Sequence, residues 1–213
     1  MLIIRTVLLF ILSVTLLAGC ATPLTKAERE SIKSIAVVNT FPQYPNYPGY
    51  LSYPTSLGID TRLFNNGNDE IKNDQYSVKM LNVTMGYLSK KGYEVKEILN
   101  DDKNKVNGSA LVLTLIPKDV YRMPGTNGYG INQPSRLGVA LNPVAYMALS
   151  IRLEFRGRTV GDNYYNEAIT PLSFTTLPEK WDLLSDVQKK EVYDKLNKNI
   201  EQAVTDLLGK LDI

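Results

Sequence analysis

The chain predicts an α+β fold: one domain in which a mixed β-sheet of about five strands carries two main helices, the longer one C-terminal. Three observations support this. Ser34 to Asn39 (SIAVVN) is a compact β-branched run that reads as a first strand. Ala110 to Ile116 (ALVLTLI) is an unbroken apolar run, the pattern of a strand buried on both faces. Val192, Leu196, Ile200, Ala203, Val204, Leu207, Leu208 and Leu211 fall on one stripe of a long helix.

The remaining elements follow from local signals. Asp74 is placed to cap a helix in which Val78, Leu81, Met85 and Leu88 recur at helical spacing, and Gly92 is placed to end it. Tyr93 to Leu99 alternates and reads as a second strand. The strand-helix-strand order suggests a parallel pair joined by a right-handed crossover. Residues 122–143 are rich in Gly, Pro and Asn and read as loop, with a short strand at 136–141. Tyr146 to Phe155 and Thr159 to Thr170 form a hairpin turning at Arg156-Gly157-Arg158. In its first arm Ile151, Leu153 and Phe155 alternate with Arg152, Glu154 and Arg156, so one face is wet and the other buried. Ser185 with Gln188 matches a capping box for the last helix, about 40 Å long at about 1.5 Å per residue. Trp181, the single tryptophan, sits just ahead of it as a buried anchor.

The amino terminus locates the protein. Leu17-Ala18-Gly19-Cys20 closes an apolar run, and Cys20 is the only cysteine. Arg5 supplies a positive flank, Val7 to Ala18 a short apolar core, and small residues the cut site of a secretory signal. That core is shorter than the roughly 20 residues a spanning helix needs. The tetrapeptide resembles the lipobox of bacterial lipoproteins processed by the type II signal peptidase. The resemblance implies a diacylglyceryl (palmitate-bearing) thioether on Cys20, cleavage between Gly19 and Cys20, and acylation of the new amino group. The alternative is an uncleaved signal anchor with an incidental cysteine. Two or more chains make anchoring durable, since each buried methylene contributes about 0.8 kcal/mol. In that family Asp after the cysteine retains the protein at the inner membrane. Ala21 therefore implies the outer membrane of a Gram-negative cell, facing the periplasm. The expected organisation is a signal peptide at 1–19, a lipidated polar tether at 20–33 and a periplasmic domain at 34–213.

Composition narrows the chemistry. With Arg5 removed, 23 basic side chains face 22 acidic ones, which gives no electrostatic reason to expect nucleic acid. With Cys20 consumed, no thiol or disulfide is left. There is no histidine at all, so the usual zinc sites and Ser-His or Cys-His nucleophile pairs are excluded. Carboxylate-only chemistry and Ser-Lys pairs stay open, but no constellation for them is visible. The expectation is a non-enzyme with no cofactor and no metal.

Several further motifs are candidates for binding. FPQYPNYPGYLSYP (residues 41–54) places Tyr44, Tyr47, Tyr50 and Tyr53 at intervals of three among four prolines. A polyproline II helix has 3 residues per turn, so the rings would line one edge about 9 Å apart. They would dock a protein, stack on cell-wall sugars, or lie across their own domain. Residues 121–130 hold three glycines but lack the Lys-Ser/Thr of a phosphate loop and read as a surface loop. Asp60, Asp69, Glu70 and Asp74 form an acidic run without EF-hand spacing. Asn82-Val83-Thr84 and Asn107-Gly108-Ser109 are chance matches to glycosylation acceptors.

The order of elements over residues 34–212 is similar to that of small envelope lipoproteins, of the type of the TolB amino-terminal domain and the curli-secretion lipoprotein. This resemblance implies an adaptor or assembly component acting on another envelope protein. The second expectation is a periplasmic module binding a lipid, a small ligand or a cell-wall glycan.

Overall fold

A computed structural model describes residues 23–54, 60–71, 75–99, 106, 110–123, 125–136, 139–178, 180–211 and 213. Cys20 and Gly19 lie outside these residues, as does Asp74. The elements, in order, are α1 (Lys26–Ser31), β1 (Ser34–Asn39), β2 (Asn46–Pro54), β3 (Asp60–Glu70), α2 (Gln75–Lys90), β4 (Glu94–Glu97) and β5 (Leu111–Pro117). Then come β6 (Tyr129–Asn132), β7 (Ser135–Arg136), β8 (Val139–Ala140), β9 (Val144–Phe155), β10 (Arg158–Pro171), a 3₁₀ turn (Trp181–Leu183) and α3 (Asp186–Gly209). The α+β class holds, with an eight-stranded mixed sheet in place of the expected five strands.

The sheet is organised around β9. Along one side β9 pairs antiparallel with β10 from Val144↔Pro171 to Phe155↔Arg158. Along the other it meets two strands end to end: β5 opposite residues 149–155 and β6 opposite residues 144–147. Beyond β5 lies β1, parallel to both β5 and β4, which is the expected parallel pair with its crossover helix. Beyond β6 lie β2 and then β3. Strand alternation sorts the side chains. Ile35, Val37, Leu111, Leu113, Leu115, Ile151, Leu153 and Phe155 face the helices in one large core. Ala36, Val38 and Val112 face the other way, in a smaller cluster. The turn between β9 and β10 is two residues, Arg156 (φ 51°) and Gly157 (φ 75°). Positive φ at both positions matches the right-handed twist of the flanking strands.

α3 is as expected. Ser185 Oγ accepts from the N–H of Gln188 (3.3 Å), whose Oε1 accepts from the N–H of Ser185 (2.9 Å). The whole predicted stripe is buried. Asn199 interrupts it and is fully buried: its Nδ2 donates to Ala145 O (2.8 Å) and its Oδ1 accepts from Thr170 Oγ1 (2.6 Å). One polar side chain thus fixes the helix to both β9 and β10.

Four expectations need correction. α2 buries Tyr76, Met80, Thr84 and Leu88 rather than a face containing Val78, which is 54% exposed. The aliphatic count missed a phenol ring and a threonine whose hydroxyl is satisfied by Met80 O (2.9 Å) inside the helix. Gly92 (φ 95°) does end α2, with the Tyr93 N–H bonded to Leu88 O. The tyrosine segment is strand β2 over 46–54, not polyproline II, and the polar stretch from 65 is part of its partner β3. Pro48 is tolerated because the ladder slips between Tyr47 and Gly49, where no amide donor is needed. The loop at 122–143 contains β6, and the short strand expected at 136–141 is the β7–β8 pair. Gly130 permits β6 to approach β2, since a Cβ there would lie 2.2 Å from Asn46 O. The last correction concerns residues 24–33, read as tether: Leu24 and Ile32 are buried in the main core.

Replacing Asn199 by Ala leaves the buried Ala145 carbonyl and the half-buried Thr170 hydroxyl without this partner. The expected outcome in urea denaturation is a loss of about 2 kcal/mol with an unchanged slope.

Candidate functional site

Two regions at opposite ends of the molecule carry the features relevant to function. The first is where the chain joins the domain. Thr25 caps α1, its Oγ1 accepting from the N–H of Glu28 (3.3 Å) while Glu28 Oε2 accepts from the N–H of Thr25 (2.9 Å). The other oxygen of Glu28 lies 2.6 Å from Arg158 Nη2, at the first residue of β10. One carboxylate therefore closes the capping box and ties α1 to the β9–β10 turn. The Thr25 N–H, then the Arg158 guanidinium, hold the Glu28 carboxyl at about 2, well below its ordinary 4.5. Leu24, one residue before the cap, is in the core. Sequence reading missed this contact because α1 has no buried residue of its own and reads as uniformly polar.

The second region is an aromatic cluster between the far end of the sheet and the amino-terminal ends of α2 and α3. Trp181 packs edge-on against Tyr193 (5.5 Å between ring centres) and Tyr47 (6.1 Å). Tyr76 stacks on Tyr193 at 6.1 Å and lies 6.3 Å from Tyr129, which in turn meets Phe41 at 5.6 Å. Such pairs add about 0.5–1.5 kcal/mol each beyond their burial. Tyr47 Oη donates to Pro178 O (2.6 Å), and Tyr129 Oη to Pro42 O (2.7 Å). Tyr76 Oη is buried without a partner, and burial pushes its phenol far up.

The four tyrosines of the expected ladder are thus not equivalent. Tyr47 is 1% exposed and serves the core, and Tyr44 is half-buried beside it. Tyr50 and Tyr53 pair with Phe64 and Thr61 along β2, and their side chains fall outside the described set.

Residues 118–130 form a closed loop pinned from within. Thr126 Oγ1 accepts from the Val120 N–H (2.7 Å) and donates to Met123 O (2.8 Å), while Asp119 Oδ1 accepts from the Asn127 N–H (2.8 Å). Asn46 reaches from β2 to Thr126 O and Asn127 O (2.9 and 2.8 Å), and Tyr146 donates to the same Thr126 carbonyl. Beside this loop Tyr165 donates to Glu167, and burial together with that carboxylate pushes the phenol up to about 12. The acidic run is pulled apart: Asp60 pairs with Pro54 at one end of the β2–β3 ladder, Asp69 and Glu70 with Tyr47 and Asn46 at the other. Among the described residues no group of three or more carboxylates is arranged to hold a metal. None of their helices is long and apolar enough to cross a membrane.

A groove runs between α2 and α3. It is an open depression of about 620 Å³ with Gln75, Val78, Asn82 and Asn197 along it, bridged by Lys79 and Glu201 at 2.6 Å.

No protein-family model matches the chain, and no curated protein matches it. Among solved structures it is similar to the crystal structure of a minor lipoprotein from Acinetobacter baumannii. The identity is 9% over 82% of this chain and 90% of that one, with a TM-score of 0.41. A likeness at that level is one of outline and carries no argument about function.

Two outcomes follow from the site geometry. Because the Glu28 pKa is lower folded than unfolded, the unfolded chain binds more protons between about 4.5 and 2, and stability rises with pH across that window. The contribution of Glu28 is complete above about 4.5 and lost as pH falls through about 2. In urea titrations the advantage of the wild type over Glu28→Gln should therefore shrink to nothing across that interval. In the aromatic cluster, Tyr47→Phe should cost about 1 kcal/mol through the orphaned Pro178 carbonyl. Tyr47→Ser should cost about 3 kcal/mol or more through lost volume, read from chemical denaturation.

Proposed function

We propose that this protein is a lipid-anchored envelope lipoprotein of the outer membrane. In this reading Cys20 carries the lipid after cleavage at Gly19, and the folded body faces the periplasm. The body acts without catalysis, as an adaptor or assembly component for another envelope protein. The observation that carries this is the spacing between Leu17-Ala18-Gly19-Cys20 and Leu24, the first core residue. A lipid-modification sequence ends four residues before the fold begins, a distance the chain spans in at most about 14 Å. An anchor there fixes where the body works, and neither histidine nor a second cysteine is present to equip it for common hydrolytic or redox chemistry. The α2–α3 groove favours a second reading, a module for a lipid, small ligand or glycan. Val78 and Val83 line it together with polar side chains, and so open a depression suits a weakly held ligand.

Intact mass of the protein extracted from envelopes tests the anchor. The expected species begins at Cys20 and carries added acyl mass, and Cys20→Ser leaves the membrane fraction. Mild crosslinking in intact envelopes should then capture a discrete partner with the wild type and not with Cys20→Ser. Sedimentation with purified peptidoglycan in place of such a partner would favour the binding module.

A further inference from the structure

α1 is weakly built into the fold. It has 6 residues, where an isolated helix needs about 12–15 to persist in water. None of the six is buried. Its order therefore comes from its two ends and from polar contacts. Ahead of it Leu24 enters the main core at 8% exposure, and behind it Ile32 does so at 4%. Between them the capping box joins Thr25 to Glu28, Glu28 reaches Arg158 at 2.6 Å, and Arg29 Nε donates to Leu24 O at 3.3 Å. Lys26 and Glu30 pair along the helix at 4.0 Å, both well exposed.

The two ends differ in how firmly they are held. β1 starts two residues after Ile32, and the intervening Lys33 O accepts from the Glu94 N–H (3.0 Å), so the chain from 32 onward belongs to the sheet. Leu24 has no such support behind it, since Pro23 is exposed. A short segment seated by one leucine and a partly exposed ion pair opens locally at far lower cost than the sheet it rests on. Ile32 is the hinge of that opening.

We propose that α1 is a latch that sets how far the body stands from its lipid. The proposal rests on the anchoring reading above. Seated, α1 leaves only the span from Cys20 to Leu24 free, at most about 14 Å. Unwound, with Leu24 out of the core, it adds its own length to that span. The polar stretch from Cys20 to Ile32 then extends to at most about 42 Å. Residues that read as tether in the sequence and form a helix in the fold are thus one device with two states. The seated state keeps the body at the leaflet, and the released state lets it stand off and turn. Salt favours release, because it screens the Glu28–Arg158 pair.

The test uses the full protein purified from envelopes with its native amino terminus, held in phosphatidylcholine nanodiscs. Amide exchange is read by mass spectrometry on α1 and on the middle of β9. The expected result is exchange in α1 at least about tenfold slower than in an unstructured peptide and at least about tenfold faster than in β9. Glu28→Lys, which turns the tie to Arg158 into repulsion without touching the core, should speed α1 about tenfold and leave β9 unchanged. Salt at about 1 M should also speed α1. In a supported bilayer, neutron reflectometry should find at most about 14 Å of water beneath the wild-type body. The double variant Leu24→Ser, Glu28→Lys, with β9 still protected, should show a thicker layer. Exchange in α1 as slow as in β9, exchange as fast as in an unstructured peptide, or equal water layers overturns the latch and leaves the anchor standing. An unmodified Cys20 overturns the anchor and the control of distance with it, while the exchange contrast still decides whether α1 opens on its own.

Discussion

The structure depends on β9 being satisfied on four sides at once. Its two edges hydrogen-bond to β10 and to the β5–β6 pair. One face packs under α3 through Ala145, Met147, Leu149, Ile151, Leu153 and Phe155. On the other, Tyr146 and Ala148 are buried near its start against Val120, with Met123 packed on the cluster. A fully buried aliphatic side chain contributes about 1.5–3 kcal/mol, so this single strand supplies a large part of the hydrophobic stabilisation. Two half-sheets that share no strand pairing with each other, β4-β1-β5 and β3-β2-β6, are held in one layer only because both dock on β9.

That arrangement gives the molecule two distinct ends. The β5 half places its strand starts, the β9–β10 turn and the helix carboxyl termini together, next to α1. The β6 half places β2, the 118–130 loop and the aromatic cluster at the other end, where α2 and α3 begin. α3 runs the length between them, about 36 Å for its 24 residues. Its stripe packs on β9 and β10 along that length, and Asn199 sets its register near the middle by bonding both strands.

What could be read from the sequence was whatever the physics made local. The α3 stripe, its capping box, the β9–β10 hairpin, and strands β1 and β5 each carry their signal within a few residues, and the structure has them; the turn expected over Arg156-Gly157-Arg158 is one residue tighter, with Arg158 already in β10. Elements whose cause lies elsewhere in the chain were missed. β2 contains two prolines and spacing by three, and becomes a strand only because β3 and β6 are available to pair with it. The buried face of α2 is set by Tyr129 and Tyr193, which give Tyr76 a place in the core. α1 is polar throughout and is held by Leu24 before it, Ile32 after it, and an ion pair to a residue 130 positions away. The aromatic cluster has the same origin: six rings from five separate segments, and although Tyr47 and Trp181 stand out in the sequence, nothing local tells that they meet.

The shortness of the leader ahead of Leu24 has a consequence for the anchored reading. A polar tether of fourteen residues would let the body range tens of ångströms from its lipid, because even a loose coil grows with the root of its length. With the fold beginning at Leu24, the span from Cys20 is at most about 14 Å, and the α1 contact to Arg158 removes most of the remaining freedom. On that reading the farthest point of the domain stands roughly 50 Å from the leaflet, the sum of this reach and the length of α3. Such a body cannot search a wide compartment for its partner. On that reading, any partner it meets is one held at the same membrane.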